Sequence, residues 1–526
     1  MNGDNIEIKI ADVFNVIRPE LESDLPLQLL LEKLENAGIL DQRDPRLENL
    51  RSVIKEIAGK SKCFYEIQIS LQGFTKIVNV NRELLLPAFL DNLVIPKFLD
   101  FVCKLQNLYE NELNNDSGEV SLSPSACIDN PVDTWGVAVT SVDGQRCFIG
   151  DSEKPFLLHS LCKPLIYGMA IDELGVLEVE KYIGHEPIHT QKDILCLDSQ
   201  DRPRSPLLDS GFLVLCFLLF RNKDYANTVE VHRKVFRYFN ALAGNEYCQH
   251  RTQVYMAAKQ SGFHPFAQAN LLVAMDKLAM DPNFNEACDF YYEAHSLETN
   301  CESLSLIAAT LANGGINPLT LKQVLSPNAV KYVLSSMYTA GLYTFSGKSS
   351  FLMGNPGKSA SSGAIMFVIP GVLGIALYSP KLNKEGISVR GLSFMKEFIR
   401  TQKFHMYANL TSRVKKKFPG RKNTLDECNT YCEMFSALAS HDIPKVVKLA
   451  ATDMVHSKDN EKRTVLHVAA AMGYYELVKH IASKYTYLVN EKDRWGRTPL
   501  DYAKISGSHV VVDILQEWEK IMQPQK

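Results

Sequence analysis

Apolar and polar residues alternate on both sides of Asp143-Gly144 in Trp135-Gly-Val-Ala-Val-Thr-Ser-Val-Asp-Gly-Gln-Arg-Cys-Phe-Ile149. This is a strong β-hairpin signal, because an Asp-Gly pair readily adopts the left-handed backbone that a tight turn needs. Far downstream, Gly363-Ala-Ile-Met-Phe-Val-Ile369 and Val372-Leu-Gly-Ile-Ala-Leu-Tyr378 read as two more buried strands, joined through Pro370-Gly371. A long, mostly helical stretch separates the two pairs. Strands, helical insert, strands is an α+β layout built on one antiparallel sheet.

Just after the first hairpin stands Phe156-Leu-Leu-His-Ser-Leu-Cys-Lys-Pro-Leu165, at the start of an apolar helix. Ser160 and Lys163 form an S-x-x-K pair, and positions i and i+3 share a helical face. A lysine whose pKa is lowered by burial or by its neighbours can take a serine proton and make the hydroxyl a nucleophile. This is the chemistry of serine amidohydrolases with a β-lactamase-like fold. The same spacing recurs at Ser52/Lys55, Ser393/Lys396 and Ser412/Lys415, so context must carry the reading. Retention of a serine at a helix start and a lysine one turn on is also explained by capping and packing.

The 526 residues exceed one ordinary core and imply about three domains. Hydrophobic content of 46% and charged content of 22% are globular values. A net charge of −3 invites neither nucleic acid nor an anionic membrane. Twelve cysteines without C-x-x-C pairs read as reduced, mostly buried thiols. The start, Met1-Asn-Gly-Asp-Asn-Ile-Glu, carries no apolar signal core and is too acidic for a transit peptide. A cytoplasmic location is expected, with mitochondria as the alternative. Gly211–Phe220 is apolar but too short to span a membrane.

Residues 1–117 are expected to form a helical domain, from the apolar spacing of Leu25–Leu34 and Leu84–Leu105. Residues 118–405 hold the hairpin, the Ser160 helix and the later strands. Residues 406–428, with Arg413-Val-Lys-Lys-Lys-Phe-Pro-Gly-Arg421, read as a basic linker. In 429–522 a pattern repeats: Arg463-Thr-Val-Leu-His-Val-Ala-Ala-Ala-Met-Gly473 returns as Arg497-Thr-Pro-Leu-Asp-Tyr-Ala-Lys-Ile-Ser-Gly507. It resembles the Thr-Pro-Leu-His-x-Ala signature of ankyrin repeats, with Phe435–Ala450 a degraded earlier copy. Such an array is either a partner-binding surface or a stabilising appendage.

Three motifs fail on context. His185-Glu-Pro-Ile-His189 matches H-E-x-x-H, but Pro187 inside it disfavours the helix that a zinc pair requires. Gly347-Lys348-Ser349 and Gly357-Lys358-Ser359 lack the upstream glycine of a phosphate loop. Asp41-Gln-Arg-Asp44 lacks the turn glycine of a calcium loop. No metal or other cofactor is expected.

The chain resembles the glutaminase family over about residues 20–520. Ordered matches include Asp44-Pro-Arg-Leu47, Leu93-Val-Ile-Pro96, Trp135-Gly-Val137, Val142-Asp-Gly-Gln-Arg146, Ser160-x-x-Lys-Pro-Leu165, Ala243-Gly-Asn-Glu-Tyr247, Cys301-Glu-Ser303, Phe345-Ser-Gly347 and Lys492-Asp-Arg-Trp495. The resemblance implies a multidomain chain: an EF-hand-like helical N-terminal domain, an α+β β-lactamase-like glutaminase domain and C-terminal ankyrin repeats. It implies hydrolysis of glutamine to glutamate and ammonia, with Ser160 as nucleophile and Lys163 as base. Tyr291 and Tyr343 match family tyrosines at the site, and Lys358-Ser359 matches a K-S that opens a strand beside the nucleophile. The amides of Ser160 and Ser361 would form the oxyanion hole. Dimers and tetramers of the same chain are implied as well, together with a protein partner for the repeats.

Departures from the family pattern cluster at the substrate end. A substrate-contacting asparagine is Asp209, the glutamate that pairs with the substrate ammonium is Ala258, a further asparagine is Pro265, and a tyrosine is Ser123. The glutamine before the nucleophile is His159, and K-S-G-V-x-G-G is Lys358-Ser-Ala-Ser-Ser-Gly-Ala364. Glutamine is a hydrated zwitterion whose lost hydration must be replaced by placed charges and donors. Each lost hydrogen bond to a charged group costs about 1.5–3 kcal/mol. Three readings stand: an active glutaminase with a remodelled pocket, an impaired homologue acting by oligomerisation or through its repeats, and an amidohydrolase for another amide.

Overall fold

The computed structural model describes residues 10–18, 24–39, 44–58, 67–121, 131–188, 195–221, 228–261, 263–278, 284–408, 434–450, 455, 458–459 and 461–522. Contacts group the chain into two units: Leu34–Glu48 with Leu93–Pro419, and Met1–Lys33, Asn49–Asn92 with Gly420–Lys526.

The first unit is built on a five-stranded antiparallel sheet. Its strands are β1 (Gly136–Ser141), β2 (Arg146–Gly150), β3 (Gly357–Ser359), β4 (Ala364–Ile369) and β5 (Leu373–Tyr378), in the order β2-β1-β5-β4-β3. Both expected hairpins form. Gly144 turns the first at φ 78° and Gly371 the second at φ 72°, backbone that a Cβ would strain. The chain leaves one pair and returns to the other, so β1 lies against β5 from Gly136↔Tyr378 to Ser141↔Leu373. Arg146 of β2 forms a two-pronged ion pair with Glu246, which explains both matched segments structurally.

Six helices position the site: α1 (Cys162–Leu174), α2 (Asp209–Phe220), α3 (Thr252–Ser261), α4 (His264–Ala274), α5 (Phe284–His295) and α6 (Cys301–Ala312). Asn300 caps α6 by accepting the Ser303 amide at 2.9 Å. This helix lies directly on the sheet at Gly374, where a Cβ would come within 2.2 Å of the Ala309 nitrogen. Helix α2 is buried on every side from Ser210 to Phe220. It is therefore hydrophobic all round as a core helix of the domain. No helix among the described residues is long and apolar enough to cross a membrane.

A three-stranded sheet of Phe156–Leu157, Leu297–Thr299 and Cys248–His250 leads the chain to Ser160. The Leu158 amide continues the pairing by donating to Leu297 O at 2.7 Å.

In the second unit, helices Ile10–Ile17, Leu71–Val80 and Arg82–Phe89 pack through Phe14, Phe74 and Phe89, with ring centroids 5.4 Å apart. The expected continuous helix over Leu84–Leu105 is broken instead. One helix ends at Phe89 and the next, Phe98–Asn111, belongs to the first unit. Pro96 disfavours helical backbone before it, and Asp91 and Lys97 both sit at φ 51°. The repeats form as helix pairs Val465–Ala471 with Tyr475–Lys484, and Pro499–Ser506 with His509–Met522. His467 caps its own helix, accepting from the Thr464 amide at 3.1 Å, while its other ring nitrogen reaches Arg497 O of the next repeat at 3.1 Å.

Apart from exposed Cys103, the described cysteines are buried.

Candidate active site

Ser160 sits in a 3₁₀ turn, His159–Leu161, immediately ahead of α1. His159 takes φ 46° and Tyr343 φ 51°, left-handed backbone that non-glycine residues adopt uncommonly. Two such residues around one serine mark a place where packing over-determines the backbone, as at functional sites.

The Ser160 hydroxyl is 1% exposed and donates to Ser359 O at 3.1 Å. Tyr343 OH donates to Ser160 Oγ at 2.9 Å. Lys358 Nζ lies 3.5 Å from the same oxygen, donates to Ser359 O at 2.5 Å and stands 4.2 Å over the Tyr343 ring. Thus β3, at the edge of the sheet, faces the nucleophile with both its lysine amine and its backbone.

Lys163 is placed differently from what helical spacing alone suggests. Its Nζ donates to Asp209 Oδ1 at 2.6 Å and makes no hydrogen bond to Ser160. Tyr291 OH donates to the same carboxylate oxygen, also at 2.6 Å. Asp209 opens α2, where the helix dipole favours a negative charge. Its side chain is 43% exposed, so one edge faces solvent while Oδ1 faces the lysine.

The electrostatics divide accordingly. Burial pulls Lys163 down, but the Asp209 carboxylate and then Tyr343 outweigh it, and Lys163 is held above its ordinary value. Asp209 would be raised by burial, yet the Lys163 charge and the bonds from Lys163 and Tyr291 keep it well below the usual carboxylate range. Lys358 is pushed down by burial and by the nearby Lys163 charge, against an upward pull from Tyr343. Burial would raise Tyr343, but Lys358, Lys163 and the Ser160 bond bring it below its ordinary value. Tyr291 is pushed well up, by burial and then by Asp209.

Ser361 lies in the turn between β3 and β4, closed by the Ala360 amide on Ala364 O at 2.9 Å. Its hydroxyl meets His159 Nδ1 at 3.2 Å. Burial, then Lys163, depresses His159 to about 4. Its ring meets His295 edge-on at 5.0 Å, and His295 stacks on Tyr291 at 4.2 Å. Burial, then His159, holds His295 well below the ordinary histidine value, so both rings are neutral near pH 7. Together these contacts join Ser160, Lys163, Asp209, Tyr291, Tyr343 and Ser361 into one cluster.

Ala258 and Pro265 do not join it by polar contacts. Ala258 lies on α3 and buried Pro265 at the start of α4, and both helices pack against α5, which carries Tyr291. Neither side chain has a donor or acceptor to offer a zwitterion. Ser123 and His189 lie outside the described residues. So do residues 41–43 of the rejected calcium segment; buried Asp44 spends its carboxylate on Arg46 at 2.7 Å. Around His185 the backbone is not helical, and the ring pairs with Glu180 at 3.3 Å. Among the described residues, no group of three or more histidine, cysteine or acidic side chains is placed to hold a metal.

The closeness of Lys358 to the nucleophile was legible only through the family resemblance, not from the spacing of the residues. Its signal, Gly357-Lys358-Ser359, was visible as a failed phosphate loop and as a strand opener. The partner, Ser160, lies 198 residues away.

Comparison with known proteins gives three family matches: "Glutaminase" over residues 124–407, "EF-hand domain" over 10–96 and "Ankyrin repeats (many copies)" over 455–503. The mouse protein named "Glutaminase liver isoform, mitochondrial" is 34% identical over 512 residues, covering 97% of this chain and 84% of that protein. "Putative glutaminase 2" of Caenorhabditis elegans is 30% identical over 501 residues, covering 94% and 82%. Among solved structures, "Probable glutaminase ybaS" aligns with a TM-score of 0.53 at 30% identity, covering 58% of this chain and 98% of that one. A probable glutaminase from Bacillus subtilis, complexed with 6-diazo-5-oxo-L-norleucine, shares the fold at 22% identity and a TM-score of 0.52.

Proposed function

The chain belongs to the glutaminase family, and from that premise we propose that it hydrolyses the side-chain amide of glutamine to glutamate and ammonia through a Ser160 acyl-enzyme. The observation that carries this reading is the buried Ser160 hydroxyl, bonded to Tyr343 OH at 2.9 Å with an amine, Lys358, beside it. A serine becomes a nucleophile when a neighbouring group takes its proton. Lys163 is the family's base. In this chain it must leave Asp209 before it can accept a proton. The amides of Ser160 and Ser361 are the donors for the developing oxyanion. Tyr291 and Tyr343 line the pocket, and Asp209, Ala258 and Pro265 form its substrate end.

One observation favours a second reading, a weakly active homologue that works through oligomerisation or its repeats. Lys163 is held at 2.6 Å by Asp209, the residue that stands where the family pattern has a substrate-contacting asparagine. Asp209 also repels a substrate carboxylate. Under either reading we expect self-association and a protein partner for the ankyrin repeats. Mitochondria stand beside the cytoplasm as a location, because the matching mouse protein is named a mitochondrial isoform.

The deciding assay is ammonia release from glutamine by the full chain, with and without phosphate, against Ser160→Ala. Turnover lost in Ser160→Ala supports the acyl-enzyme. Absence of turnover in the wild type, with no heat of glutamine binding by calorimetry, replaces it with the second reading.

A further inference from the structure

Two buried lysines stand near one serine, and only one of them is free to change charge. Lys163 is anchored to a carboxylate at 2.6 Å, an arrangement that requires the ammonium form. Lys358 is fully buried and has no carboxylate among its contacts. Its neighbours are a carbonyl, a hydroxyl, the face of Tyr343 and, further off, the fixed positive charge of Lys163. Burial without a counter-ion and beside a like charge favours the neutral amine. Its nitrogen already lies within hydrogen-bond distance of Ser160 Oγ, at 3.5 Å, and contacts of this kind shorten in the substrate complex.

We propose that Lys358 is the base that takes the Ser160 proton in this chain, and that it hands the proton to the departing ammonia. The proposal rests on the acyl-enzyme reading above. As Oγ bonds to the amide carbon, the O–H bond breaks and the proton moves to the Lys358 amine. Collapse of the tetrahedral intermediate breaks the C–N bond, and the leaving nitrogen takes that proton. Ammonia departs, leaving the Ser160 ester and a neutral lysine. Water then attacks the ester, gives its proton to Lys358, and the proton returns to Ser160 Oγ as the acid is released. Tyr343, bonded to the same oxygen, holds the hydroxyl between the two groups. Lys163 and Asp209 act as positioning residues that keep a fixed charge pair beside the site.

A fluorophosphonate tests this without the glutamine pocket, because its phosphorus bonds to an activated serine as fluoride leaves. Labelling of the full chain would be followed by intact mass, with Ser160→Ala as the blank. General-base assistance is worth about 10²- to 10⁴-fold, so Lys358→Met and Lys358→Arg should slow labelling by that factor. Arginine keeps the charge but cannot take the proton. The double variant Lys163→Met/Asp209→Asn should lose only about tenfold, since it removes a charge pair rather than the base. Added methylamine should restore labelling to Lys358→Ala. Wild-type speed in both Lys358 variants, or an equal loss in the double variant without amine rescue of Lys358→Ala, would overturn the assignment.

Should the Lys358 variants not fold, the wild-type rate decides. It should climb with pH through an ionisation below the ordinary lysine range, in the field of Tyr343, Lys163, Asp209, His159 and Cys162. A rate that rises only at that range or above would refute the proposal. A wild type that does not label at Ser160 at all removes the acyl-enzyme reading itself, and the base assignment with it.

Discussion

The two sides of Ser160 hold the same residue type under opposite conditions. On the helical side, Lys163 faces Asp209 and Tyr291; on the sheet side, Lys358 faces Tyr343 and the backbone of Ser359. Both lysines are buried. One carboxylate separates them, and it decides which is a fixed cation and which is a titratable amine. Burial alone therefore does not make a lysine a base. What matters is whether the fold also supplies a counter-ion.

Stability should break the comparison most strongly. Lys163→Met strands the Asp209 carboxylate, and losing one partner of a buried pair costs about 3–5 kcal/mol. The solvent-facing edge of Asp209 puts the expected loss at the lower end, about 3 kcal/mol. Lys358→Met strands no ion and should stay within about 1 kcal/mol of the wild type. Chemical denaturation of the two variants reads the difference directly; equal losses would mean that Lys358 carries a hidden counter-charge.

Asp209→Asn should make the two sides alike. It frees Lys163 and removes the repulsion of a substrate carboxylate, for which like charges near 4 Å give up to about 4 kcal/mol at an effective dielectric of 20. We expect kcat/KM for glutamine to rise by about 10²-fold after solvent screening. Steady-state ammonia release that falls in this variant would show that Asp209 assists turnover.

Acid should weaken the helical side through its histidines. Burial depresses His159 to about 4 and holds His295 well below its ordinary value, whereas the unfolded chain binds protons from about 6.5 downward. The unfolded state then holds more protons, so stability is fully present above about 6.5 and drains away as pH falls toward 4. Thermal midpoints at pH 7.5 and 5 should differ in that direction, and His159→Gln should flatten the slope. A midpoint unchanged on acidification would contradict the buried, neutral assignment.

Tyr291→Phe is the mildest change. It removes one of the bonds to Asp209 and leaves the ion pair, for an expected loss of about 1 kcal/mol in denaturant unfolding. A loss as large as that of Lys163→Met would make the tyrosine, rather than the lysine, the main partner of the carboxylate.

What the sequence made legible follows the range of the interaction. Asp143-Gly144 and Pro370-Gly371 gave away their hairpins because turn chemistry is local. The Arg463–Gly473 and Arg497–Gly507 repeat was legible for the same reason, and in the structure Thr464 and Thr498 cap its helices. The segment Leu84–Leu105 misled, because apolar spacing continues across a break that Pro96 and two left-handed residues impose. At the site, Ser160 was readable from its motif. The partner of Lys163 was not, since Asp209 lies 46 residues on and only folding brings it to the amine. Asp209 read as a loss of substrate contact. Its gain of a lysine became visible only in three dimensions.

One histidine in the repeats carries a different lesson. His467 ties off its own helix with one ring nitrogen and passes a hydrogen bond to Arg497 of the following repeat with the other. In that repeat the corresponding residue is Asp501, which accepts the Thr498 amide at 2.9 Å but has no second donor to extend onward. The pair behaves like growth and termination steps in a polymer: histidine propagates the stack, aspartate stops it. Grafting another repeat after His509–Met522 would therefore call for Asp501→His at the junction.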